Sequence, residues 1–200
     1  FGVTEIAEST FDPKKIKKDF PLLERMVNDK PIVYLDSAAT SQKPFEVIDR
    51  MNDYYKEINS NVHRGAYHIA ELATAEMEQA RYKVHRFINS PSEKEIIFTK
   101  NATEAINLVA YTWARSELNT GDVILVSSLE HHSNIVPWQL LTQETGAELR
   151  YIDIDENGEL MLEQLDDHLA TGKVKLVAVS HVSNVLGTIT DIEKVIKKGK

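Results

Sequence analysis

Two adjacent histidines, His131 and His132, follow an apolar run in the stretch "VILVSSLEHHSNIVPWQ" (123–139). Zinc sites use at least three protein ligands, and neighbouring residues of an extended chain point to opposite sides. The pair therefore cannot reach one metal ion without distortion. The other histidines form no ligand spacing; they are His63, His68, His85, His168 and His181. We predict no metal site. Two interpretations remain open: one histidine is buried and the other solvated, or one imidazole lies flat on a planar aromatic ligand.

A possible anion site lies in "KNATEAINLVA" (100–110), where a helix is expected to begin directly after an apolar run. Asn101 is a favoured N-cap residue, and Glu104 completes the pattern of a capping box. The N–H groups and the positive dipole end of such a helix attract anions. Ala102 is small enough to let an anion approach the backbone, and Thr103 adds a hydroxyl donor. The segment is either a plain helix cap or a phosphate site that lacks the glycine-rich signature.

Two more segments carry polar groups at chain positions suited to a ligand. Asn184, in "VSHVSNVLGT" (179–188), offers an amide donor and an acceptor for a phenolic oxygen or a carboxylate, although Ser, Asn and Gly are also typical of a turn. His63 and Arg64 precede a predicted helix. Arg64 either clamps a carboxylate or phosphate or is a solvated helix start. Together, these segments offer what a planar, phosphorylated cofactor would need.

These residues need a scaffold that brings the ends of several strands together. Apolar, β-branched runs alternate with helical patterns from residue 95 onward. The expected strands are 32–35, 95–99, 123–127, 149–154 and 175–182, and the expected helices before residue 95 are 12–27, 45–58 and 66–88. Continuously apolar strands that alternate with helices predict an α/β fold, with a mostly parallel sheet covered by helices on both faces. Ligands of such sheets bind beyond the carboxyl ends of the strands, which is where His131 and Asn184 stand.

The composition is that of an ordinary globular protein of 200 residues, with a formal net charge of -8. That charge disfavours nucleic-acid binding, which requires a cationic surface. No apolar run approaches the roughly 20 residues that span a bilayer, so we expect no membrane segment. The first ten residues lack the basic and apolar regions of a signal peptide. The chain has no cysteine, which excludes disulfides and a cysteine nucleophile within it and fits a cytoplasmic location.

Five motifs, in order and spacing, resemble those of a known enzyme family. They are "YLDSAATSQKP" (34–44), "NVHRGAYH" (61–68), "FTKNATEAINLVA" (98–110), "LEHHSNIVPWQ" (129–139) and "SHVSNVLGT" (180–188). The family is that of the SUF-type cysteine desulfurases, which belong to the class V aminotransferase group of fold-type I enzymes that use pyridoxal 5′-phosphate (PLP). Selenocysteine lyases are close relatives. The resemblance covers the chain from about residue 15 onward.

The resemblance implies roles for the cofactor-binding residues. His131 would stack on the PLP ring and shuttle protons, which favours the planar-ligand interpretation of the histidine pair. Thr103 and the N–H of Ala102 would hold the phosphate. Asn184 would donate a hydrogen bond to the phenolic oxygen of the cofactor.

It also implies the substrate side of the pocket. His63, which would be a second catalytic residue, and Arg64 would line that side near a dimer interface. Ala38 and Ala39 would leave room for the substrate. The implied substrate is L-cysteine, and the products are L-alanine and a persulfide sulfur that a SUF acceptor protein passes to iron–sulfur cluster assembly. The implied enzyme is a homodimer.

Several residues that the family requires have no counterpart here. The Schiff-base lysine, the aspartate on the pyridine nitrogen and the nucleophilic cysteine would all follow Lys200. We therefore expect the N-terminal half of a desulfurase that is inactive alone, with a helical segment at 1–30 and the first part of the PLP-binding large domain at 31–200. The alternatives are a selenocysteine lyase or another class V PLP lyase, a non-catalytic partner-binding half-domain, and one subunit of a split enzyme.

Overall fold

The computed structural model describes residues 11–199, whose internal contacts separate them into two units between Ile97 and Phe98. We call residues 11–97 the helical unit and residues 98–199 the sheet unit. Among the described residues, no helix combines the length and the apolar character that a membrane crossing requires.

The helical unit contains three α-helices, a small hairpin and short helical turns. Its elements are α1 (Pro13–Lys17), a 3₁₀ turn (Pro21–Glu24), β1 (Met26–Val27), β2 (Lys30–Pro31), α2 (Phe45–Asp53), which continues as a π-helical turn (Tyr54–Ile58), α3 (His68–Ile88) and a 3₁₀ turn (Glu93–Glu95). The helices predicted at 45–58 and 66–88 are confirmed. The helix predicted at 12–27 is shorter, because a 3₁₀ turn that starts at Pro21 and the hairpin occupy its second half.

The hairpin joins β1 and β2 through Asn28 and Asp29, whose φ angles are 52° and 59°. Positive φ at both central residues is the requirement of a type I′ turn, in which Asn and Asp are well tolerated. The sequence signal for this turn, Asn28 and Asp29, lies directly after the helix predicted at 12–27.

The sheet unit alternates helices with three strands. Its elements are α4 (Ala102–Val109), which continues through a π-helical turn (Ala110–Ala114) into α5 (Arg115–Glu117), β3 (Val123–Ser127), a 3₁₀ turn (His132–Asn134), α6 (Val136–Thr145), β4 (Glu148–Ile152), α7 (Leu162–Ala170), β5 (Val174–Ala178) and α8 (Ile192–Lys198). The strand order is β4-β3-β5, and both pairings are parallel. The predicted parallel α/β sheet is confirmed.

The central strand β3 is buried on both faces, and none of its five residues is more than 1% exposed. Successive side chains of a strand point to opposite faces. Ile124 and Val126 accordingly pack on one face with residues of the α4–α5 segment and α6, including Trp138. Leu125 packs on the other face with Leu165 of α7 and other apolar residues of β4 and α8. Helices therefore cover both faces, as the apolar pattern predicted.

Two predicted strands are wrong in this structure. Residues 32–35 form no strand, and Val33 and Leu35 are 79% and 90% exposed. The run 95–99 is likewise outside any strand, and Ile97 is exposed. An apolar run becomes a strand only where a neighbouring strand supplies ladder hydrogen bonds, and within the described residues neither run has such a neighbour. The strands predicted at 149–154 and 175–182 exist but end earlier, at Ile152 and Ala178.

Candidate active site

His131 begins the 3₁₀ turn that follows β3, and its ring is exposed. The backbone N–H of Ser133 donates to His131 Nδ1 over 3.1 Å, and the Ser133 hydroxyl lies 2.9 Å from the same nitrogen. A nitrogen that accepts a hydrogen bond carries no proton, so the neutral ring bears its proton on Nε2. The turn thus fixes both the orientation and the tautomer of the imidazole and leaves its Nε2–H available.

The ring of the neighbouring His132 has a different orientation from that of His131. The two ring centroids are 6.2 Å apart and the ring planes are tilted by 53°. Among residues 11–199, no group of three His, Asp or Glu side chains has the geometry to hold a metal ion. The two imidazole rings are therefore neither parallel nor in contact face to face.

The carboxylate of Glu130 lies beneath the histidine turn and is a feature that the sequence interpretation missed. Glu130 is 8% exposed. Its Oε1 accepts from Ser127 Oγ at 2.5 Å and from the Ser180 N–H at 2.7 Å. Its Oε2 accepts from Ser180 Oγ at 2.6 Å and from Asn134 Nδ2 at 2.7 Å. One buried carboxylate therefore connects the end of β3, the histidine turn and the chain that follows β5. The available signal was a lone acidic residue three positions after the end of a nearly continuous apolar strand.

The helix α4 begins as the sequence predicted. Asn101 Oδ1 accepts from the Glu104 N–H at 2.9 Å, and Glu104 Oε2 accepts in return from the Lys100 N–H at 2.6 Å. The N–H groups of Ala102 and Thr103 and the Thr103 hydroxyl have no hydrogen-bond partner within residues 11–199. These three donors stand at the positive end of the helix. The first turn of α4 can therefore accept an anion without breaking an internal bond.

Asn184 lies in the turn of a small loop that leaves the sheet after β5. The loop closes through a bridge between Val182 and Ile189 and through a bond from the Thr190 N–H to the His181 carbonyl at 2.8 Å. The Ser183 hydroxyl is buried and accepts from two backbone N–H groups of the loop, each at 3.2 Å. The side chain of Asn184 is exposed and makes no hydrogen bond within the described residues. Its amide is free to contact a ligand.

Thr103, His131 and Asn184 all belong to the sheet unit. The helix α4 packs against the turn that follows His131. The Glu130 carboxylate joins that turn to Ser180, four residues before Asn184. Since β3 and β5 are parallel, their carboxyl ends lie at the same edge of the sheet.

The donor chemistry of these groups fits a planar, phosphorylated ligand such as PLP. Two N–H groups and a hydroxyl suit the phosphate, the exposed imidazole suits a ring face, and a free amide suits the phenolic oxygen. This fit rests on unused donors and exposed surfaces, and no internal bond has to break.

His63 and Arg64 belong to the helical unit. His63 has a φ of 66°, which is unfavourable for a residue other than glycine. Its N–H donates to Thr74 Oγ1 at 3.0 Å, and its Nε2 lies 3.1 Å from Glu78 Oε1. These two contacts with α3 hold the strained residue in place. Arg64 is exposed and forms no ion pair within residues 11–199, so its guanidinium remains available to an anion.

Ala38 and Ala39 are exposed in a turn of the helical unit. The Ala39 N–H donates to the Asp36 carbonyl at 3.2 Å, and the Tyr34 hydroxyl donates to the carbonyls of Asp36 and Thr40 at 3.1 and 2.5 Å. The turn is held by hydrogen bonds within its own segment, and its two alanine side chains are small and exposed.

Residues 33–200 match the family model of the class-V aminotransferases. Over 181 residues, the chain is 50% identical to a probable cysteine desulfurase of Halalkalibacterium halodurans, covering 90% of this chain and 44% of that protein. It is 48% identical over 189 residues to a probable cysteine desulfurase of Mycolicibacterium paratuberculosis, covering 94% of this chain and 27% of that protein. The chain thus spans less than half the length of these curated relatives.

The chain is also similar to solved structures of cysteine desulfurases. An apo cysteine desulfurase from Thermococcus onnurineus superposes with a TM-score of 0.85 at 37% identity, covering 94% of this chain and 44% of that one. A cysteine desulfurase from Escherichia coli superposes with a TM-score of 0.79 at 37% identity, covering 94% of this chain and 45% of that one.

Proposed function

This chain belongs to the class-V aminotransferase family, and from that premise we propose that it forms the N-terminal part of a PLP-dependent cysteine desulfurase. The enzyme would convert L-cysteine to L-alanine and deliver the sulfur as a persulfide. The observation that carries the proposal is a set of polar groups in the sheet unit that have no hydrogen-bond partner within residues 11–199: the N–H groups of Ala102 and Thr103 in the first turn of α4, the His131 Nε2–H and the Asn184 amide.

Each group of the sheet unit has a defined task in this proposal. The N–H of Ala102 and the hydroxyl of Thr103 would bind the phosphate, and the dipole of α4 would add to the attraction. His131, oriented by Ser133, would contact the cofactor ring and has its Nε2–H available. Asn184 would donate to the phenolic oxygen. When bound, PLP acts as the electron sink for the substrate's carbanion.

We further propose that residues of the helical unit act on the substrate. Arg64 has a free guanidinium, which can bind a substrate carboxylate through two parallel hydrogen bonds. His63 is the second titratable group we assign to catalysis, held by Glu78 and Thr74. Ala38 and Ala39 leave space for the substrate side chain.

The most direct test compares His131→Ala with His132→Ala in the full-length protein. General acid–base groups contribute on the order of 10²–10⁴-fold in rate. We expect His131→Ala to lose most of the alanine formation from L-cysteine, while His132→Ala keeps a rate near that of the wild type. Equal tolerance of both substitutions would contradict the assignment of His131.

A second test concerns the length of the protein. We propose that residues 31–200 are the first part of a PLP-binding large domain and that the remainder of the enzyme supplies the lysine and the cysteine. Of the helical segment predicted at 1–30, residues 1–10 lie outside the described residues, and residues 11–30 contain α1, a 3₁₀ turn and most of the β1–β2 hairpin. The intact mass of the protein from its source organism should then be well above 22.7 kDa. A mass near that value would contradict independent desulfurase activity.

Finer features of the proposal rest on the motif resemblance. They are a homodimeric enzyme, a cytoplasmic location, and delivery of sulfur to an acceptor protein of the SUF system for iron–sulfur cluster assembly. Comparison of L-cysteine with L-selenocysteine as substrates would distinguish the desulfurase from a selenocysteine lyase.

A further inference from the structure

We propose that Glu130 is a positioning residue that holds the His131 turn at a fixed place relative to the loop bearing Asn184. It acts through a series of hydrogen bonds that is compatible only with a carboxylate at position 130 and an amide at position 134. The assignment of His131 and Asn184 as cofactor contacts rests on the proposed function. The hydrogen-bond argument itself does not.

Trp138 fixes which groups donate and which accept in this series of hydrogen bonds. The Trp138 side chain is 3% exposed, and its Nε1–H can only donate. It donates to Asn134 Oδ1 at 3.0 Å. The amide of Asn134 therefore cannot be flipped without placing its NH₂ group against another donor. With Oδ1 turned to Trp138, Asn134 Nδ2 must donate to Glu130 Oε2, at 2.7 Å.

The other oxygen of Glu130 is approached by a second obligate donor. The backbone N–H of Ser180 lies 2.7 Å from Glu130 Oε1. The two serine hydroxyls around the carboxylate can rotate and adapt, but the Ser180 N–H and the Asn134 amide cannot. Both oxygens of residue 130 must therefore accept. A glutamine at this position would turn its NH₂ group towards one of these donors, at a residue that is only 8% exposed.

The consequence for the site is a fixed spacing between two segments. His131 directly follows Glu130, and Asn134 ends the 3₁₀ turn that carries the imidazole. Ser180 is the second residue after β5 and leads into the Asn184 loop. Loss of the carboxylate would release the turn from the loop while leaving the side chains of His131 and Asn184 unchanged. Displacements of about 1 Å can reduce a catalysed rate on the order of a hundredfold.

The experiment exchanges the carboxylate and the amide. Glu130→Gln places an NH₂ group against one of the two fixed donors. Asn134→Asp places two carboxylates against each other. In the double variant E130Q/N134D, the NH₂ group at position 130 donates to the carboxylate at position 134, which still accepts from Trp138. The amide oxygen at position 130 still accepts from the Ser180 N–H. Each single substitution is thus the matched control for the pair. The double variant restores the bonds of the fixed donors and moves the negative charge from position 130 to position 134, while the Ser180 hydroxyl rotates to accept.

Two readouts report on positioning. The first is the ring ¹⁵N spectrum of His131 in histidine-labelled full-length protein without added PLP, assigned by its loss in His131→Gln. The second, with PLP added, is the visible circular dichroism of the cofactor together with kcat and KM. A purely structural role would change the thermal midpoint and leave the spectra of the folded protein as in the wild type.

We expect the wild type to show the Nε2–H tautomer, and both single variants to show mixed tautomers, a weakened cofactor signal and a kcat lower on the order of a hundredfold. The double variant should regain the wild-type tautomer and most of kcat. Wild-type His131 signals in a folded single variant would overturn the proposal. So would a double variant that fails to recover them or fails to fold. If the single variants do not fold, recovery in the double variant supports the proposal.

The two proposals fail differently. If the wild-type protein binds no PLP or forms no alanine from cysteine, the proposed function is wrong, whereas the pattern of His131 tautomers across the four proteins still decides the role of Glu130. If the wild type is active but E130Q/N134D does not recover, the positioning role is wrong and the function stands.

Discussion

Leu125 and Phe87 are both large apolar side chains in regular elements, but their surroundings differ completely. Leu125, in β3 of the sheet unit, is fully buried, whereas Phe87, in α3 of the helical unit, is 89% exposed. The sheet unit contains two clusters of buried apolar side chains, one on each face of the sheet. In residues 11–97, the buried residues are Ala70, Ala73 and Ile96. The sheet unit therefore supplies its own core, and the helical unit leaves large apolar side chains exposed.

The candidate site residues follow the same division. His131 stands between a fully buried strand and a helix whose Trp138 is in the core, and a buried carboxylate with four hydrogen bonds lies next to it. His63 is fixed by contacts with Thr74 and Glu78, and the ion-pair partner Glu78 is itself on the surface. The comparison teaches that the residues proposed to bind the cofactor are positioned by contacts within the sheet unit, while His63, proposed for the substrate side, depends on a few exposed contacts.

The largest expected effect is that of Leu125→Ala. Removing a fully buried leucine destabilises proteins by about 2–5 kcal/mol. The two tryptophans of the chain, Trp113 and Trp138, both lie in the sheet unit, so urea unfolding followed by tryptophan fluorescence reports on that unit. Phe87→Ala is the matched control and should change the free energy of unfolding by less than about 0.5 kcal/mol. Similar losses for the two variants would contradict the difference between the units.

An intermediate effect is expected for Gly65→Ala in the helical unit. A Cβ atom at Gly65 would collide with the Cβ of Ala70 and approach the Tyr67 ring to 2.8 Å. Overpacking of this kind costs about 1–3 kcal/mol. Hydrogen exchange followed by mass spectrometry should show faster exchange in the first turns of α3 and unchanged exchange in β3. The control is Gly121→Ala, where no atom lies within 4 Å of the new Cβ and only its φ of 88° is strained. Faster exchange throughout both units would show that they are not separable.

The smallest effect concerns Asp191, which caps α8 of the sheet unit. The Lys194 N–H donates to this carboxylate at 3.1 Å, and that bond, with the nearby Lys194 ammonium, holds the pKa of Asp191 below its usual value. Because the folded-state pKa is lower than the unfolded-state pKa, the stabilisation is complete above the unfolded value and is lost as the pH falls through the folded value.

The melting temperature of the wild type should therefore exceed that of Asp191→Asn near neutral pH, and the two should converge in acid. Asparagine keeps the capping bond, so the difference isolates the charge. Glu193→Gln removes the same charge from the same helix without touching the cap and serves as the control. A difference that stays constant from about pH 7 to pH 2 would refute the linkage.

The sequence predicted the sheet unit better than the helical unit for a physical reason. The run 123–127 is apolar at every position except its last, and a strand buried on both faces requires that pattern. The runs 32–35 and 95–99 are similar in composition, but within the described residues no strand pairs with them. Pairing is a long-range property that a local pattern does not contain.

The site shows the same limit. The cap at Asn101 was predictable because a capping box is local in sequence. The role of Glu130 was not, because its partner Ser180 lies 50 positions away along the chain. The roles assigned to Thr103, His131, Asn184, His63 and Arg64 remain predictions until the experiments above are done.

The strand order β4-β3-β5 has a consequence for biosynthesis. The strand that the ribosome makes first, β3, is also the one at the centre of the three. The two later strands, β4 and β5, therefore each emerge when β3, the strand with which they pair here, has already been synthesised. At about 5–20 residues per second, the chain from Val123 to Ala178 is complete within seconds. The order of translation therefore allows β3 to pair with β4 before β5 is made, so the sheet can assemble outward from its central strand.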